Sequence, residues 1–313
     1  MAVTQLDPGI SWQKMTETLS ETQVEFYAEN GYLVLEQQVP APIIGAIRDE
    51  IVRFEDIARA MTESDDKLDL EDSHTPDEPR LRRIKLPHTQ SAVVRDLMYS
   101  DHILGPVRDL LGPNLRLHTT KLNMKKAGYG AAVEWHQDCA FYPHTNDDLL
   151  AVGVLIDDME TVNGPLMVFP GSHRGPIYDH HVEGVFAGGL RPESVGLDMK
   201  EAVSLTGPSG SISIHHGRIL HGSAVNRSAR SRRLLFYEIM AADAFPIMGS
   251  LTAWNGFADY NRKMLCGETT VVPRLENIPV RIPQPQPDVA MSIYELQKGM
   301  KERTYARIDS DKP

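Results

Sequence analysis

The residues best suited to chemistry lie in two short stretches. In 134-EWHQD-138, His136 and Asp138 are two positions apart, and in 219-ILHGSAVN-226, His221 closes an apolar run. A His-x-Asp/Glu triplet alone is weak evidence in a chain of 313 residues with 12 His and 43 acidic residues, and His181-Val182-Glu183 is a second instance. Short motifs carry that false-positive risk. On a strand, residues two apart point to the same side, so the spacing predicts that His136 and Asp138 face one ion together, with His221 as third ligand. Two imidazoles and one carboxylate suit Fe(II) and leave coordination positions open for a chelating cosubstrate and O2. Zinc accepts the same donors. Arg232 favours the iron reading. It lies beyond the turn 226-NRSARS-231, where a hairpin would return its guanidinium to the ligands. A guanidinium grips a carboxylate through two parallel hydrogen bonds, as the far end of an iron-chelating 2-oxoglutarate would require.

Neighbouring residues extend the set. Ser223 is two past His221 and shares its side. Lys121, Asn123 and Lys125 share one face of a predicted strand, with Leu122 and Met124 on the other. A polar face inside a small barrel is costly unless it meets a polar ligand, so Lys121 and Asn123 are candidate cosubstrate contacts. For Lys125, a solvated strand face is the alternative. Phe141, Tyr142 and His144 follow Asp138 closely and are candidates to line the substrate pocket, ahead of Trp254 and the segment 62–80. His215 or His216 is a candidate partner for the ligands, with ordinary strand polarity an equal reading. Cys139 is expected to point away from Asp138 as a small buried hydrophobe, and His181-Val182-Glu183 to lie in a solvated loop.

The elements that must position these residues divide the chain in two. Up to about residue 114 it reads as mainly helical. Ser20 and Gln23 form a capping box for a helix that stops at Gly31; a strand spans Tyr32 to Leu35; Pro42 opens a helix to about Met61. The acidic stretch 62–80 reads as a solvated loop or a lid, and two helices lie between Ser91 and Leu111. From Leu115 the pattern changes to strands, in 115–126, 149–157, 165–173, 209–217 and 232–240, separated by Gly, Pro and Asn turns. This order predicts an antiparallel sandwich or jelly roll with helices outside. A proline-rich extended tail over 271–288 and a last helix over 289–303, as a packing or dimer element, complete the chain. The expectation is one domain over 1–313, with a helical part to about 114, a core over 115–242 and an extension over 243–313.

Bulk properties exclude other classes. A hydrophobic fraction of 41% and a charged fraction of 24% are those of an ordinary globular protein. No apolar run is long enough for a bilayer. MAVTQLDPGISW lacks a signal-peptide pattern, SDKP matches no peroxisomal signal, and two cysteines suit a reducing compartment. The expected location is therefore cytoplasmic. A net charge of −11 argues against nucleic-acid binding. The expected partner is a small-molecule substrate, with the chain a monomer or homodimer.

The segments 23-QVEFYAENGYLVLEQQVP-40, 135-WHQD-138, 163-NGPLMVFPGSHRG-175 and 217-GRILHGSAVNRSARSRR-233 together resemble the phytanoyl-CoA dioxygenase superfamily, over about Leu19 to Tyr237. That resemblance implies a mainly β fold with flanking helices, a cupin-like double-stranded β-helix, using Fe(II), 2-oxoglutarate and O2. It implies metal ligands at His136, Asp138 and His221, a cosubstrate arginine at Arg232, and polar cosubstrate contacts at Ser223 and Asn123. His173 would belong to the family's PGSH turn. The implied reaction is oxidation, foremost hydroxylation, of an unactivated C–H bond in a small organic molecule such as a natural product. Desaturation, epoxidation and rearrangement need only another fate for the substrate radical. A carboxylate at Asp138, where related halogenases have a small residue, speaks against halogenation. Val154 stands where phytanoyl-CoA enzymes have a tryptophan, which weakens an acyl-CoA substrate. A zinc hydrolase or a non-catalytic metal-binding member are the remaining alternatives.

Overall fold

A computed structural model describes residues 18–128, 130–249, 254–288, 292–300 and 302–305. The signal-peptide and SDKP readings, and part of the last predicted helix, fall outside the described residues.

The chain opens with α1 (Glu21–Asn30), β1 (Tyr32–Leu35) and α2 (Ala41–Ala58). Ser20 and Gln23 cap α1 reciprocally, and Gly31 ends it at φ +76°, a left-handed conformation that suits glycine. A side chain there would also strike the ring of His173, which bonds to the Ala28 carbonyl at 3.1 Å. Then come β2 (Leu68–Leu70), β3 (Leu81–Lys85), α3 (Ala92–Met98), α4 (Asp101–Leu111) and β4 (Leu115–Lys125). The stretch 62–80 is therefore not loop throughout. Leu68 and Leu70 bury their side chains as β2 pairs with β3, although the surrounding acidic residues mask this in the sequence.

The strands that follow are β5 (Val133–His136), β6 (Leu149–Leu155), β7 (Leu166–Val168), β8 (His181–Val182), β9 (Val185–Phe186), β10 (Val203–Leu205), β11 (Ile212–His216), β12 (His221–Ser223) and β13 (Arg232–Ala241). Last come α5 (Phe257–Asn261), β14 (Met264–Cys266) and α6 (Ile293–Lys298). The predicted strand over 165–173 is shorter than expected, because the chain turns at 172–174 in a 3₁₀ turn. His181-Val182-Glu183 is not simply loop, since β8 and β9 form a small hairpin. The last helix is one short piece, and the tail over 271–288 before it has no helix or strand.

Two antiparallel sheets face each other. The larger has the order β1-β11-β6-β13-β4-β3-β2, with β14 also on β4, and the smaller the order β10-β7-β12-β5. This is a jelly roll. The large sheet separates two environments by the two-residue alternation of its strands. Leu122 and Met124 of β4, Val152 and Val154 of β6, and Leu235 and Tyr237 of β13 pack outward against helices. From α2 they meet Ile44, Ile47, Ile51, Phe54 and Ala58, at helical spacing. Val154, where a tryptophan would mark phytanoyl-CoA enzymes, belongs to this outer core. The opposite faces of the same strands, through Lys121, Asn123, Ala151, His215, Arg232, Leu234, Phe236 and Glu238, line a cavity between the sheets. No helix among the described residues is long and apolar enough to cross a membrane.

Candidate active site

Every residue of EWHQD has a separate task. Trp135 is fully buried against Phe169 and Tyr305 on the outer side of the small sheet. His136 faces inward, directly opposite His221, because β5 and β12 pair in that register. Gly222 lets the two strands close up: a Cβ there would lie 3.1 Å from the Val133 carbonyl and 3.2 Å from the Trp135 ring. Asp138 is not on the strand as the two-residue spacing assumed. It opens a 3₁₀ turn over Asp138–Ala140. The turn is fixed by Gln137, whose side chain donates to the carbonyls of Arg218 (2.8 Å) and Pro176 (3.1 Å) and accepts from Tyr178 N–H (2.9 Å). Its backbone N–H donates to His180 Nε2 at 3.0 Å. Glu134 takes the backbone N–H groups of Thr304 and Tyr305 and so ties the chain's end to this strand.

The result is one cluster. A ligating atom from each of His136, Asp138 and His221 lies within 4.8 Å of the others. His136 Nδ1 contacts the Glu134 carbonyl at 2.8 Å and His221 Nδ1 the Ile219 carbonyl at 3.0 Å. A carbonyl cannot donate, so each Nδ1 carries the proton and each Nε2 keeps its lone pair. Those Nε2 atoms stand 3.8 and 3.9 Å from Asp138 Oδ1. Burial lowers the pKa of His136 to about 4 and that of His221 well below the usual imidazole range. Both rings are neutral at pH 7, the form that binds a metal. Burial alone would raise the Asp138 carboxyl, but His221, His215, Lys121 and His136 outweigh it and hold it well below the usual range. The donor set fits a divalent cation such as Fe(II). His215 Nε2 lies 3.5 Å from Asp138 Oδ2, close enough to orient that carboxylate.

One cavity brings together most of the predicted residues: His136, Asp138, His221, Arg232, Ser223, Asn123 and Lys121. Arg232 is buried, with Nε and Nη2 donating to the Gly164 carbonyl. That leaves the opposite edge of its fork without a hydrogen bond among the described residues. Burial lowers its pKa to about 10, which keeps it charged at neutral pH. Asn123 Oδ1 is buried without a partner. A dicarboxylate fits a pocket with an open guanidinium edge and a hydroxyl, whereas Asn123 Oδ1, an acceptor, calls for a donor. Lys125 is not on a solvated face. It is buried and donates to Ser223 Oγ at 2.8 Å, and burial with the nearby Arg232 holds its amine well below the usual lysine range.

Phe141 and Tyr142 line a wider vestibule of about 470 Å³ that adjoins the cavity at Asp138, Lys121, Arg83 and Glu238. His144 does not line it. Its Nδ1 bonds back to the Tyr142 carbonyl at 2.7 Å and its ring packs on His118, so the turn carries it away from the metal residues. Cys139 also points elsewhere, into a cleft with His144 and Arg218. Trp254 packs on Tyr260, outside both spaces. Glu238, Arg83, Ile293 and Tyr294 are among the lining residues missed from sequence. Glu238 is buried, paired with Lys121 Nζ at 2.6 Å and accepting from Tyr142 Oη at 2.8 Å. Arg83 sits opposite Asn123 on β3 and pairs with Asp69. Ile293 and Tyr294 come from α6. Glu238 had a signal: it is an acid in an apolar strand, six residues after Arg232 and thus on its face.

Comparison with known proteins gives the family. The model of the phytanoyl-CoA dioxygenase (PhyH) family matches residues 27–234, two thirds of the chain. The chain belongs to the phytanoyl-CoA dioxygenase family. It is 36% identical over 283 residues to the "Probable alpha-ketoglutarate-dependent hypophosphite dioxygenase" of Stutzerimonas stutzeri, covering 89% of this chain and 97% of that one. It is 30% identical over 229 residues to L-proline trans-4-hydroxylase of Streptomyces griseoviridis, covering 67% and 82%. Its fold is similar to the crystal structure of EctD from S. alaskensis in its apoform, with TM-score 0.59, 26% identity and coverage of 72% and 78%. This family member is an iron(II)- and 2-oxoglutarate-dependent dioxygenase of small molecules.

Proposed function

We propose that His136, Asp138 and His221 hold the iron and that Arg232, Ser223 and Asn123 hold 2-oxoglutarate, for oxidation of a compact anion in the vestibule. When bound, the iron with 2-oxoglutarate and O2 supplies an oxidant that takes hydrogen from an unreactive bond. One oxygen atom enters the substrate, and the other leaves in succinate beside CO2. The protein's part is position and electrostatics. Arg232 holds the dicarboxylate at one end of the cavity, and the metal ligands hold the other. Asp138 is shared by the cavity and the vestibule, which marks the reacting side.

The feature that bears on the substrate class is the wall formed there by Arg83, Lys85 and Lys121 beside the carboxylates Asp66, Asp138 and Glu238. Arg83 is paired with Asp69 and Lys121 with Glu238, and burial holds the Lys125 amine well below the usual lysine range. The likeness to the hypophosphite enzyme supports a phosphorus oxyanion as the first candidate. The width of the vestibule supports a second reading, in which a larger natural-product scaffold enters and its anionic group reaches the same wall.

The test is succinate release by protein loaded with Fe(II), offered hypophosphite, L-proline, ectoine or a straight-chain acyl-CoA. The proposal expects turnover with hypophosphite above the substrate-free rate, and a rise of at least tenfold in its KM in Arg83→Gln. Turnover confined to the neutral or zwitterionic substrates, or an Arg83→Gln enzyme with unchanged KM, would overturn the anionic reading.

A further inference from the structure

We propose that Tyr294 of α6 is a cosubstrate-binding residue, donating its hydroxyl to the carboxylate of 2-oxoglutarate that Arg232 holds. The inference rests on the cosubstrate reading above and extends it to a C-terminal segment beyond the family match.

Three observations converge. First, Tyr294 lines the metal cavity with Arg232 and Ser223 but not the vestibule, whereas its neighbour Ile293 lines both. Tyr294 therefore belongs to the cosubstrate end and Ile293 to the boundary with the substrate. On its other side, Tyr294 borders an outer cleft shared with Arg82, Gln297 and Tyr305, so its ring is the partition between cleft and cavity. Second, its side chain is buried. Burial, with the Glu71 carboxylate, pushes the phenol above its usual range while Arg83, Arg232 and Arg82 pull against this. At neutral pH it is a protonated donor, the form that can donate to a carboxylate.

Third, α6 is held in place rather than merely laid on the surface. Ser292 caps its N-terminus. Gln297 accepts from Glu134 N–H at 2.9 Å and donates to the Gly188 carbonyl at 2.8 Å. The Arg82 guanidinium lies 5.1 Å from the Tyr294 ring centre and 3.5 Å from Glu295. Lys298 reaches Asp72 at 3.0 Å. Gln297 and, further on, Thr304 and Tyr305 grip Glu134, two residues before His136. A helix of so few residues would not form alone. These contacts fix Tyr294 against the cavity, and fixed donors lose little freedom when they bind.

The experiment is anaerobic binding of 2-oxoglutarate to the Fe(II)-loaded protein, compared with 2-oxobutyrate, which lacks the far carboxylate. In Tyr294→Phe, the proposal expects a roughly tenfold weaker Kd for 2-oxoglutarate, an unchanged Kd for 2-oxobutyrate, and unchanged Fe(II) binding and thermal midpoint. Tyr305→Phe, on the same segment but outside the cavity, should bind both 2-oxoacids as wild type does. If Tyr294→Phe binds 2-oxoglutarate within twofold of wild type while Arg232→Lys binds it much more weakly, the Tyr294 proposal is wrong and the cosubstrate reading stands. If neither variant weakens binding, the cosubstrate reading itself fails. Equal weakening toward both 2-oxoacids would mean a packing role and would also overturn the proposal.

Discussion

At the scale of residues, the site depends on side chains that never touch the metal. Gln137 has no exposure and uses all its polar groups to hold the turn that presents Asp138. Gln137→Leu should therefore weaken Fe(II) binding by roughly 10- to 100-fold, the usual effect of losing an orienting partner, with little change in the Kd of 2-oxoglutarate for metal-saturated protein. Equilibrium metal titration checks this; wild-type Fe(II) affinity in the variant would show that Asp138 needs no such support. The same residue marks the limit of what was legible. That His136, Asp138, His221 and Arg232 share one cavity was readable because imidazole, carboxylate and guanidinium have few cheap uses in a buried strand. Gln137 sits in the same motif and gave no signal, since its importance lies in the carbonyls of Pro176 and Arg218, which only the fold brings near.

At the scale of elements, register decides what each strand offers. On β13, Arg232, Leu234, Phe236 and Glu238 face the cavity while Leu235 and Tyr237 face the helices. A slip of one residue would exchange the two sets. That alternation was legible for β4 and available for β13. It was hidden for Arg83, because β3 follows an acidic stretch that reads as loop, and for Tyr294, because a short helix held by distant contacts leaves no periodic pattern. The loop before β7 shows how tightly these elements fit. Gly164 has φ +73°, a Cβ on it would lie 2.4 Å from the Ala224 carbonyl, and its own carbonyl receives Arg232. Gly164→Ala should displace that carbonyl and raise the Kd of 2-oxoglutarate at least tenfold, while Fe(II) still binds. Unchanged cosubstrate affinity would mean that Arg232 is positioned by something other than Gly164.

At the scale of the whole molecule, the jelly roll buries many histidines in neutral form. Burial lowers His88 and His144 to about 4 and His216 to about 3. The unfolded chain binds their protons near pH 6.5, the folded chain only well below that. Folding stability is therefore fully present above about pH 6.5 and falls as pH drops toward 4. Urea midpoints of the metal-free protein at pH 7, 6 and 5 should decrease in that order, and a flat series would contradict the burial of these rings. The central claim joins the three proposed ligands to the proposed cosubstrate arginine in one cavity. It is tested most directly by anaerobic titration of metal-free protein with Fe(II) and 2-oxoglutarate, following the weak visible charge-transfer band of the chelate. The account predicts a band that saturates at one equivalent of each, is absent in Asp138→Ala, and in Arg232→Lys needs far more 2-oxoglutarate but no more iron. A band that survives in Asp138→Ala, or none in the wild-type protein, would contradict it.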